Sequence, residues 1–264
     1  MKSLTSVECR RITPRDYLSH CGDYSERLKQ LLDRLHQPAA VSNLLRTAIL
    51  WREGGVYLDT DTVTVQSLSD LREQAGFFCG LERITLPSKV VYSRSVPVKL
   101  KALIQNLVRE IFVYLPDGWR WFRFLEQWLH PAANNAVMGS RPGHPLLGSM
   151  LEWMLEQSPE RQTRRYSLGV HTLQDCLEAG HFHDVLVLPP EAFFPLGPRL
   201  SMHWFRRTAH PRLDEVLYPQ TRVVHWYASV RTRKIVPRLQ PGYIRANAGS
   251  QLFSALALPF AEPD

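Results

Sequence analysis

The sequence predicts an α/β fold, and two observations lead to that prediction. The first is composition: 264 residues, of which 44% are hydrophobic and 22% charged, are typical of a globular chain arranged as one large α/β domain or two small ones. The second is the order of patterns in residues 42–65, where an amphipathic helix, two glycines, a short apolar strand and an Asp-Thr-Asp follow one another. Because ligands of open α/β sheets bind beyond the carboxyl ends of strands, a functional site is expected here.

The N-terminal part of the chain predicts one strand and then helices. Residues 7–12 are expected to form the strand, a helix is expected over 14–17 because proline favours the first helical turn, and leucines recur on one side of a helix over 24–35. The next helix is predicted to begin at Ser42, a plausible N-cap, and to end at Gly54, because glycine adopts the left-handed backbone common after helices.

The strand after this helix, residues 56–58, is expected to be buried and to deliver two carboxylates. Asp59 and Asp61 are two residues apart, so on an extended chain their side chains point to the same side. Adjacent carboxylates repel each other unless a cation lies between them, and oxygen ligands suit Mg²⁺ or Mn²⁺. An isolated Asp-x-Asp is a frequent chance pattern, so the prediction depends on the ordered elements around it.

Two segments resemble a known signature. SNLLR at 42–46 and GGVYLDTD at 54–61 are similar to the SDxxR…GGxYxDxD signature of the DXD glycosyltransferases. That family includes α-1,4-galactosyltransferases and α-1,4-N-acetylglucosaminyltransferases acting on glycolipids and glycans, and bacterial polysaccharide transferases. The resemblance implies a GT-A-like fold with a mixed, mostly parallel sheet, forming a single nucleotide-sugar-binding domain over 1–264. The family's first strand, helix and strand do not fit before residue 41, so an abbreviated N-terminus is expected.

The resemblance also implies which residues form the site. Asp59 and Asp61 would be the catalytic pair and bind the metal ion, with His225 as a third ligand because a neutral imidazole suits Mn²⁺. Donor and acceptor binding is predicted for Asn43, Arg46, Gly55, Tyr57, Asn135, Gly169, Trp226 and Ser229. The alternatives are structural: a surface ion pair for Arg46, a turn for Asn135, and core positions for Tyr57, His225 and Trp226.

Several later segments support the resemblance. NNAVMG at 134–139 with GHPLL at 143–147, SLGVHTL at 167–173, and VVHWYAS at 223–229 stand where the family has cleft-lining or closing loops. LPPEAFFPL at 188–196 resembles the family's LPPEAFYP segment and is predicted to be structural. A helix over 146–157 is expected to turn its leucines and methionines into the core.

A helical insertion is predicted over 84–130. Leucine, isoleucine and valine recur at helical spacing between 100 and 115, with Lys99 and Lys101 nearby, and a second helix carries tryptophan and phenylalanine among arginines. Basic amphipathic helices rich in aromatic residues can lie in a bilayer interface. The two interpretations are packing on the sheet as core and contact with a membrane or acceptor.

Charge and cysteine usage limit the partners and the compartment. A formal net charge of +7 and a pI of about 9.4 favour anionic partners such as nucleotide diphosphates, acidic glycans or anionic lipid. No RNA-binding signature or zinc-finger spacing is found, so nucleic acid is not expected. The four cysteines are far apart, and neither a signal peptide nor a spanning segment is visible. A cytoplasmic bacterial protein is expected, peripheral to the inner face of the membrane in the lipid-contact interpretation.

These observations predict a metal-dependent, retaining glycosyltransferase. It would move a hexose or N-acetylhexosamine from a nucleotide-diphosphate sugar, with UDP favoured and GDP as the alternative, to a glycan or lipid-linked hydroxyl. A decayed, non-catalytic sugar or nucleotide binder of the same fold is the first alternative, which Asn43 in place of the signature's Asp supports. A haloacid-dehalogenase-type phosphatase is the second: Asp59 would attack phosphate and Asp61 act as acid, but the GDxxxD-like acidic pair of that fold is absent from the sequence.

Overall fold

The computed structural model describes residues 8–84, 93–126, 128–164, 166–230 and 232–261. The strands are β1 (Gly55–Leu58), β2 (Thr62–Thr64), β3 (Phe77–Ile84), β4 (His130–Ser140), β5 (Val185–Leu188) and β6 (Val223–His225). The helices are α1 (Pro14–Leu18), α2 (Ser25–Arg34), α3 (Pro38–Glu53), α4 (Ser69–Gln74), α5 (Val96–Tyr114), α6 (Gly118–Glu126), α7 (Pro145–Glu156), α8 (Pro159–Gln162), α9 (Thr172–Ala179), α10 (Pro190–Phe193), α11 (Leu213–Val216), α12 (Pro241–Asn247) and α13 (Leu252–Ala257). Short 3-10 turns cover Gly22–Tyr24, Leu200–Trp204, Val236–Arg238 and Leu258–Phe260, and an irregular turn covers Ser167–His171.

The chain divides into two compact units. The first comprises Met1–Gly55 and Arg141–Phe182, and the second comprises Val56–Ser140 and His183–Asp264. The single-domain interpretation of 1–264 stays a prediction.

The first unit is helical, and its centre is the contact of α3 with α7. The buried face of α3 includes Leu44 and Ala48, and that of α7 includes Leu147, Met150 and Met154, all without measurable exposure. The helix and apolar face predicted over 146–157 are confirmed within one residue at each end. Apolar burial of this kind is the main stabilising contribution available to the unit.

The two ends of α3 are set by residues with special backbones. The N-terminus predicted at Ser42 is wrong: α3 begins at Pro38, whose fixed φ suits the first turn, so Ser42 lies inside the helix. The predicted end is confirmed, because Gly54 has φ +67° and its N–H donates to the Leu50 carbonyl. In the described part of the predicted strand over 7–12, residues 8–12 form no regular element; Val7 lies outside the described residues.

The second unit contains the sheets. Four strands lie in the order β1-β4-β3-β5, with β3 antiparallel to β4 and parallel to β5. The strands β2 and β6 pair antiparallel as a separate two-stranded sheet. The predicted α/β class with a mixed sheet is confirmed. The strand predicted over 77–81 extends to Ile84, so it includes Glu82.

Two apolar clusters fill the second unit. One, around Phe78, Val137, Phe193 and Val223, lies beside the four-stranded sheet, and the other is built around aromatic side chains such as Trp204. This second cluster also takes in Trp119 and Phe122 from α6 and Val113 from α5, so each insertion helix buries one side. The opposite sides, including Leu103, Leu107 and Phe124, are exposed. No helix in the described ranges is long and apolar enough to cross a bilayer.

The pairing of β3 with β4 requires a glycine at one position. Phe78 lies opposite Gly139, and a Cβ at residue 139 would come within 2.0 Å of the buried Phe78 ring. Gly139→Ala is therefore expected to lower the free energy of unfolding by about 1–3 kcal/mol through overpacking. Urea unfolding followed by circular dichroism measures the change.

Gly242→Ala is the matched control, because nothing lies within 4 Å of a Cβ at that position on α12. Its urea midpoint should equal or slightly exceed that of the natural chain, since alanine favours a helix. Equal midpoints for the two variants would contradict the close approach of Phe78 to Gly139.

Candidate metal and donor site

The site is built where β1 ends and β2 begins. The strand β1 stops immediately before Asp59, whose N–H donates to the Ala136 carbonyl on β4 at 2.8 Å. The Thr62 hydroxyl donates to the Asp59 carbonyl at 2.8 Å and closes the turn between the two strands. Thr62 then pairs with His225 in the β2–β6 ladder. The register of this ladder therefore places an imidazole beside the Asp-x-Asp turn.

Three potential ligands converge at this point. Single ligand atoms of Asp59, Asp61 and His225 all lie within 4.8 Å of one another, and the pairing joins chain segments that are 164 residues apart. His225 Nε2 is 3.0 Å from Asp61 Oδ1 and 4.0 Å from Asp59 Oδ2. Two carboxylates suit Mg²⁺ or Mn²⁺, and a neutral imidazole extends the fit to first-row transition ions. The donor set thus fits a divalent cation.

Both carboxylates are held by further hydrogen bonds. Asp61 Oδ2 accepts from the Ala228 amide at 2.7 Å, and Asp61 O accepts from the Trp226 amide at 3.1 Å. Asp59 Oδ1 accepts from the Tyr57 hydroxyl at 2.6 Å. Fixed ligands lose little conformational freedom when they bind an ion, so these bonds favour a preorganised site.

The environment of Asp61 favours its charged form. Partial burial alone raises the pKa of the Asp61 carboxyl, but the hydrogen bond to His225, the charge of that imidazole when protonated, and the Ala228 amide together bring the pKa below its ordinary value. Asp61 is therefore available as an anionic ligand throughout the neutral range.

The imidazole of His225 directs its polar contacts toward the carboxylates. His225 Nδ1 is buried and has no hydrogen-bond partner among the described residues, while Nε2 faces Asp61. The ring packs against Tyr227 with centroids 4.0 Å apart, and against Phe194 at 5.8 Å. These aromatic neighbours fix the ring, so its one outward nitrogen is aimed at the ion position.

A buried carboxylate contacts one of these aromatic neighbours, Tyr227. Glu82 on β3 accepts from the Tyr227 hydroxyl at 2.8 Å and from the Asn134 amide. Burial raises the pKa of Glu82, and the hydrogen bonds from Tyr227 and Asn134 only partly oppose this. Burial and the neighbouring Glu82 in turn raise the pKa of Tyr227. The Tyr227 hydroxyl therefore stays a hydrogen-bond donor that ties β3 to the segment carrying His225.

Sequence reasoning misses Glu82, Asn134 and Tyr227. The strand predicted over 77–81 ends one residue before Glu82, and the sequence favours Asn135 over its neighbour Asn134. The available signal is a single acidic residue in the otherwise apolar FFCGLE run, because a buried carboxylate requires donors nearby. Tyr227 is two residues after His225, but it has φ +58°, so strand alternation does not extend to it.

Four predicted donor-binding residues lie in the first unit. Asn43 and Arg46 are on α3, and the Arg46 guanidinium is buried and donates to the Ser42 hydroxyl at 3.1 Å. Gly55 has φ +98°, and Gly169 is the kink of the irregular turn over Ser167–His171. Their roles in donor binding stay predictions.

The other predicted residues lie in the second unit. Tyr57 contacts Asp59 directly, and Asn135 is buried in β4. The ring of Trp226 packs against Phe205 and Phe253, with centroids 5.7 and 5.0 Å away, so it belongs to the aromatic cluster. Ser229 is exposed, one residue after the Ala228 amide that binds Asp61. Substrate contact by any of these residues stays a prediction.

The convergence of three ligands predicts cation binding that depends on Asp61. Asp61→Ala removes an anionic ligand whose two oxygens contact His225 and Ala228. We expect the affinity for Mn²⁺ to fall at least about tenfold, since even outer-shell partners of metal ligands contribute that much. Titration of Mn²⁺ followed by electron paramagnetic resonance of the free ion measures this loss.

Asp214→Ala is the control for charge removal, because Asp214 is exposed and paired with Arg212 at 3.1 Å on the same unit. It should bind Mn²⁺ as the natural chain does. Equal Mn²⁺ affinity in Asp61→Ala and the natural chain would show that the three side chains are not a metal site.

The buried carboxylate predicts a pH dependence of stability. Because the pKa of Glu82 is raised in the folded chain, the folded state holds this proton more tightly than the unfolded state. This contribution to the free energy of unfolding is complete below the ordinary glutamate pKa of about 4.3 and is lost as pH rises above it. Glu82→Gln removes the titration, so its urea midpoint should fall less between acidic and neutral pH.

Glu73→Gln, at an exposed position on α4, is the matched control and should retain the natural pH profile. If Glu82→Gln and the natural chain gave parallel profiles, Glu82 would not titrate differently in the folded and unfolded states.

Comparison with known proteins gives two matches. Residues 6–78 match the family described as "Glycosyltransferase sugar-binding region containing DXD motif". Over 189 residues, 70% of this chain, the sequence is 24% identical to lactosylceramide 4-alpha-galactosyltransferase of Rattus norvegicus. The aligned part covers 40% of that relative's length. The matched segment contains Asp59 and Asp61, and His225 lies outside it.

The family match and the geometry agree on the same carboxylate pair, because the Asp-x-Asp of the matched segment is the one that meets His225 in the fold. Residues 6–78 of this chain are thus similar to the glycosyltransferase sugar-binding region containing the DXD motif.

Proposed function

We propose that the chain is a metal-dependent, retaining glycosyltransferase that moves a hexose or N-acetylhexosamine from a nucleotide-diphosphate sugar to a hydroxyl of a glycan or glycolipid. The observation that carries the proposal is the convergence of Asp59, Asp61 and His225 within 4.8 Å, in a chain whose DXD segment matches a glycosyltransferase family. These three side chains would hold a divalent cation, which when bound would supply positive charge against the negative charge of a leaving diphosphate.

The residues of the site contribute by holding charge in fixed positions. Asp61 is fixed from two sides, by His225 Nε2 and the Ala228 amide, and Asp59 is fixed by the Tyr57 hydroxyl. Ligands that are already oriented need no reorganisation when charge develops nearby, and such preorganised charge supplies much of the rate enhancement in many enzymes. Ser229, next to Ala228 and exposed, is the residue of this loop best suited to donate to a diphosphate oxygen.

The donor and acceptor classes are proposed from the relative. Its name states transfer of an alpha-galactosyl group to lactosylceramide. We infer an activated hexose as donor, with UDP as the favoured nucleotide and GDP as the alternative, and a lipid-linked or glycan hydroxyl as acceptor. The net charge of +7 favours an anionic donor of this kind.

Retention of the anomeric configuration is proposed from the resemblance to the DXD family, and the engagement of the carboxylates bears on how retention would be achieved. A retaining enzyme with a covalent intermediate needs a carboxylate free to attack the sugar. Both oxygens of Asp61 accept hydrogen bonds, Asp59 accepts one from Tyr57, and buried Glu82 accepts two. Such engagement favours roles in binding, so we propose same-face attack by the acceptor hydroxyl, with a diphosphate oxygen taking its proton.

The proposal predicts donor hydrolysis that requires both the cation and Asp61. With Mn²⁺ and no acceptor, the natural chain should slowly release hexose from a UDP-sugar, because water replaces the acceptor. Asp61→Ala should lower the rate at least about 100-fold, since a bound ion contributes several kcal/mol to transfer. Chromatographic detection of UDP across a panel of UDP- and GDP-sugars measures the rate, and nuclear magnetic resonance of the first-formed sugar gives its anomer.

Asp214→Ala is again the control and should hydrolyse the donor at the natural rate. A chain that binds a UDP-sugar with Mn²⁺ but never releases UDP would be a non-catalytic binder, and release of inorganic phosphate from simple esters would indicate a phosphatase. An inverted anomer would eliminate the proposed same-face attack.

A further inference from the structure

The helices α5 and α6 present apolar side chains to solvent on the sides that do not face the core. On α5 these are Leu100, Leu103, Ile104, Leu107 and Ile111, and we call them the α5 stripe. They recur at helical spacing, so they form one continuous row along the helix. Each is more than half exposed, whereas scattered single exposed apolar residues are the rule on water-facing helices.

The distribution of residues on α5 is the reverse of that expected for a helix with only water outside. Arg109 is 5% exposed and donates to Asn106 at 2.5 Å, while Leu103 and Leu107 are 64% and 65% exposed. Burying an arginine while exposing a leucine row is unfavourable in water, because each exposed leucine forgoes its transfer free energy. The α5 stripe is therefore expected to have a partner outside the described residues.

Aromatic side chains on α6 and in the turn after it are exposed as well. Trp121, Phe124 and Trp128 are each more than 60% exposed, and we call them the aromatic set. Gln105 on α5 donates to the Trp128 carbonyl at 2.9 Å, so this end of the aromatic set lies beside α5, and the two helices contact each other. Tryptophan is enriched where an apolar phase meets water, because its ring is apolar and its N–H is polar.

The charges around the surface identify the partner. Residues 93–130 carry six basic side chains and three acidic ones: Arg94, Lys99, Lys101, Arg109, Arg120 and Arg123 against Glu110, Asp117 and Glu126. Two of the acids are already neutralised, since Glu110 pairs with Arg199 at 3.0 Å and Glu126 with Arg83 at 3.4 Å. Three of the basic residues are also engaged, since Arg120 pairs with Glu215 at 2.7 Å, Arg109 is buried and Arg123 donates to the Val216 carbonyl. Lys99 and Lys101 are exposed near the N-terminal end of the α5 stripe. Together with exposed Arg94, they give the apolar surface a basic border at this end.

We infer that the α5 stripe and the aromatic set dock on an anionic lipid bilayer. Amphipathic basic helices with aromatic residues lie in the interface with their apolar side among the acyl chains, and anionic headgroups attract the bordering lysines. A second copy of the chain is a poorer partner, because a symmetric contact would bring the same basic border against itself. The inference rests on the proposed function in one respect: docking on a bilayer would bring the enzyme to a lipid-linked acceptor.

Binding to vesicles tests the inference without any donor sugar. The full chain should sediment with phosphatidylcholine vesicles that contain phosphatidylserine, bind pure phosphatidylcholine vesicles at least about tenfold more weakly, and lose binding as salt is raised. The double variant Leu103→Glu, Leu107→Glu should lose at least about tenfold in affinity because it places charges among the acyl chains. Both residues are largely exposed, so the fold should persist by circular dichroism.

Two controls and one charge-reversal variant separate this surface from the rest of the molecule. Phe260→Glu places a charge at another exposed apolar residue and should leave vesicle binding unchanged. Asp61→Ala should also bind vesicles as the natural chain does. Vesicle binding would therefore be observed even if the chain had no transferase activity. Lys99→Glu with Lys101→Glu should weaken binding to anionic vesicles and reduce its dependence on salt.

Three outcomes would overturn the inference. One is absence of vesicle binding by the natural chain, and another is equal binding to neutral and anionic vesicles. The third is a concentration-dependent dimer that Leu103→Glu, Leu107→Glu dissociates in the absence of lipid, which would assign the surface to a second copy of the chain.

Discussion

The antiparallel pairing of β2 with β6 is the contact on which the site depends. Each strand has only three residues, yet their register sets Thr62 opposite His225 and leaves the imidazole beside Asp61. Without this ladder, Asp59 and Asp61 would be two like charges on a turn with little to offset their repulsion. The backbone hydrogen bond from Trp226 to Asp61 O continues the same pairing beyond the strand ends, and the Ala228 amide then binds the Asp61 carboxylate.

The local order of elements around the carboxylates follows from the sequence because it depends on short-range rules. Glycine at 54 ends a helix, an apolar run makes a strand, and two aspartates two apart reach the same place. The helix start is less determined: Ser42 is a good N-cap residue, but Pro38 upstream also suits a first helical turn, and the two alanines after it favour a helix.

The remainder of the site depends on contacts between residues distant in sequence. His225 is identified by a resemblance, since no periodicity links it to Asp61. Glu82 belongs to no motif at all; it is recognisable only once Tyr227 and Asn134 are placed against it. Likewise, the periodicity of α5 shows an apolar side but not which side meets the core, and the structure buries the side that carries Val113. The sequence pattern alone does not determine which of two apolar sides of a helix is buried.

The three donors come from two separate portions of the chain, because Asp59 and Asp61 lie within the segment that carries the recognisable motif and His225 lies far outside it. A short peptide or grafted loop bearing GGVYLDTD would thus be an incomplete chelator, lacking both the nitrogen donor and the backbone amide that fixes one carboxylate. The segment that matches the family model is therefore shorter than the stretch of chain needed to coordinate an ion with all three ligands. Any transplantation of this centre into another scaffold has to carry the returning strand as well.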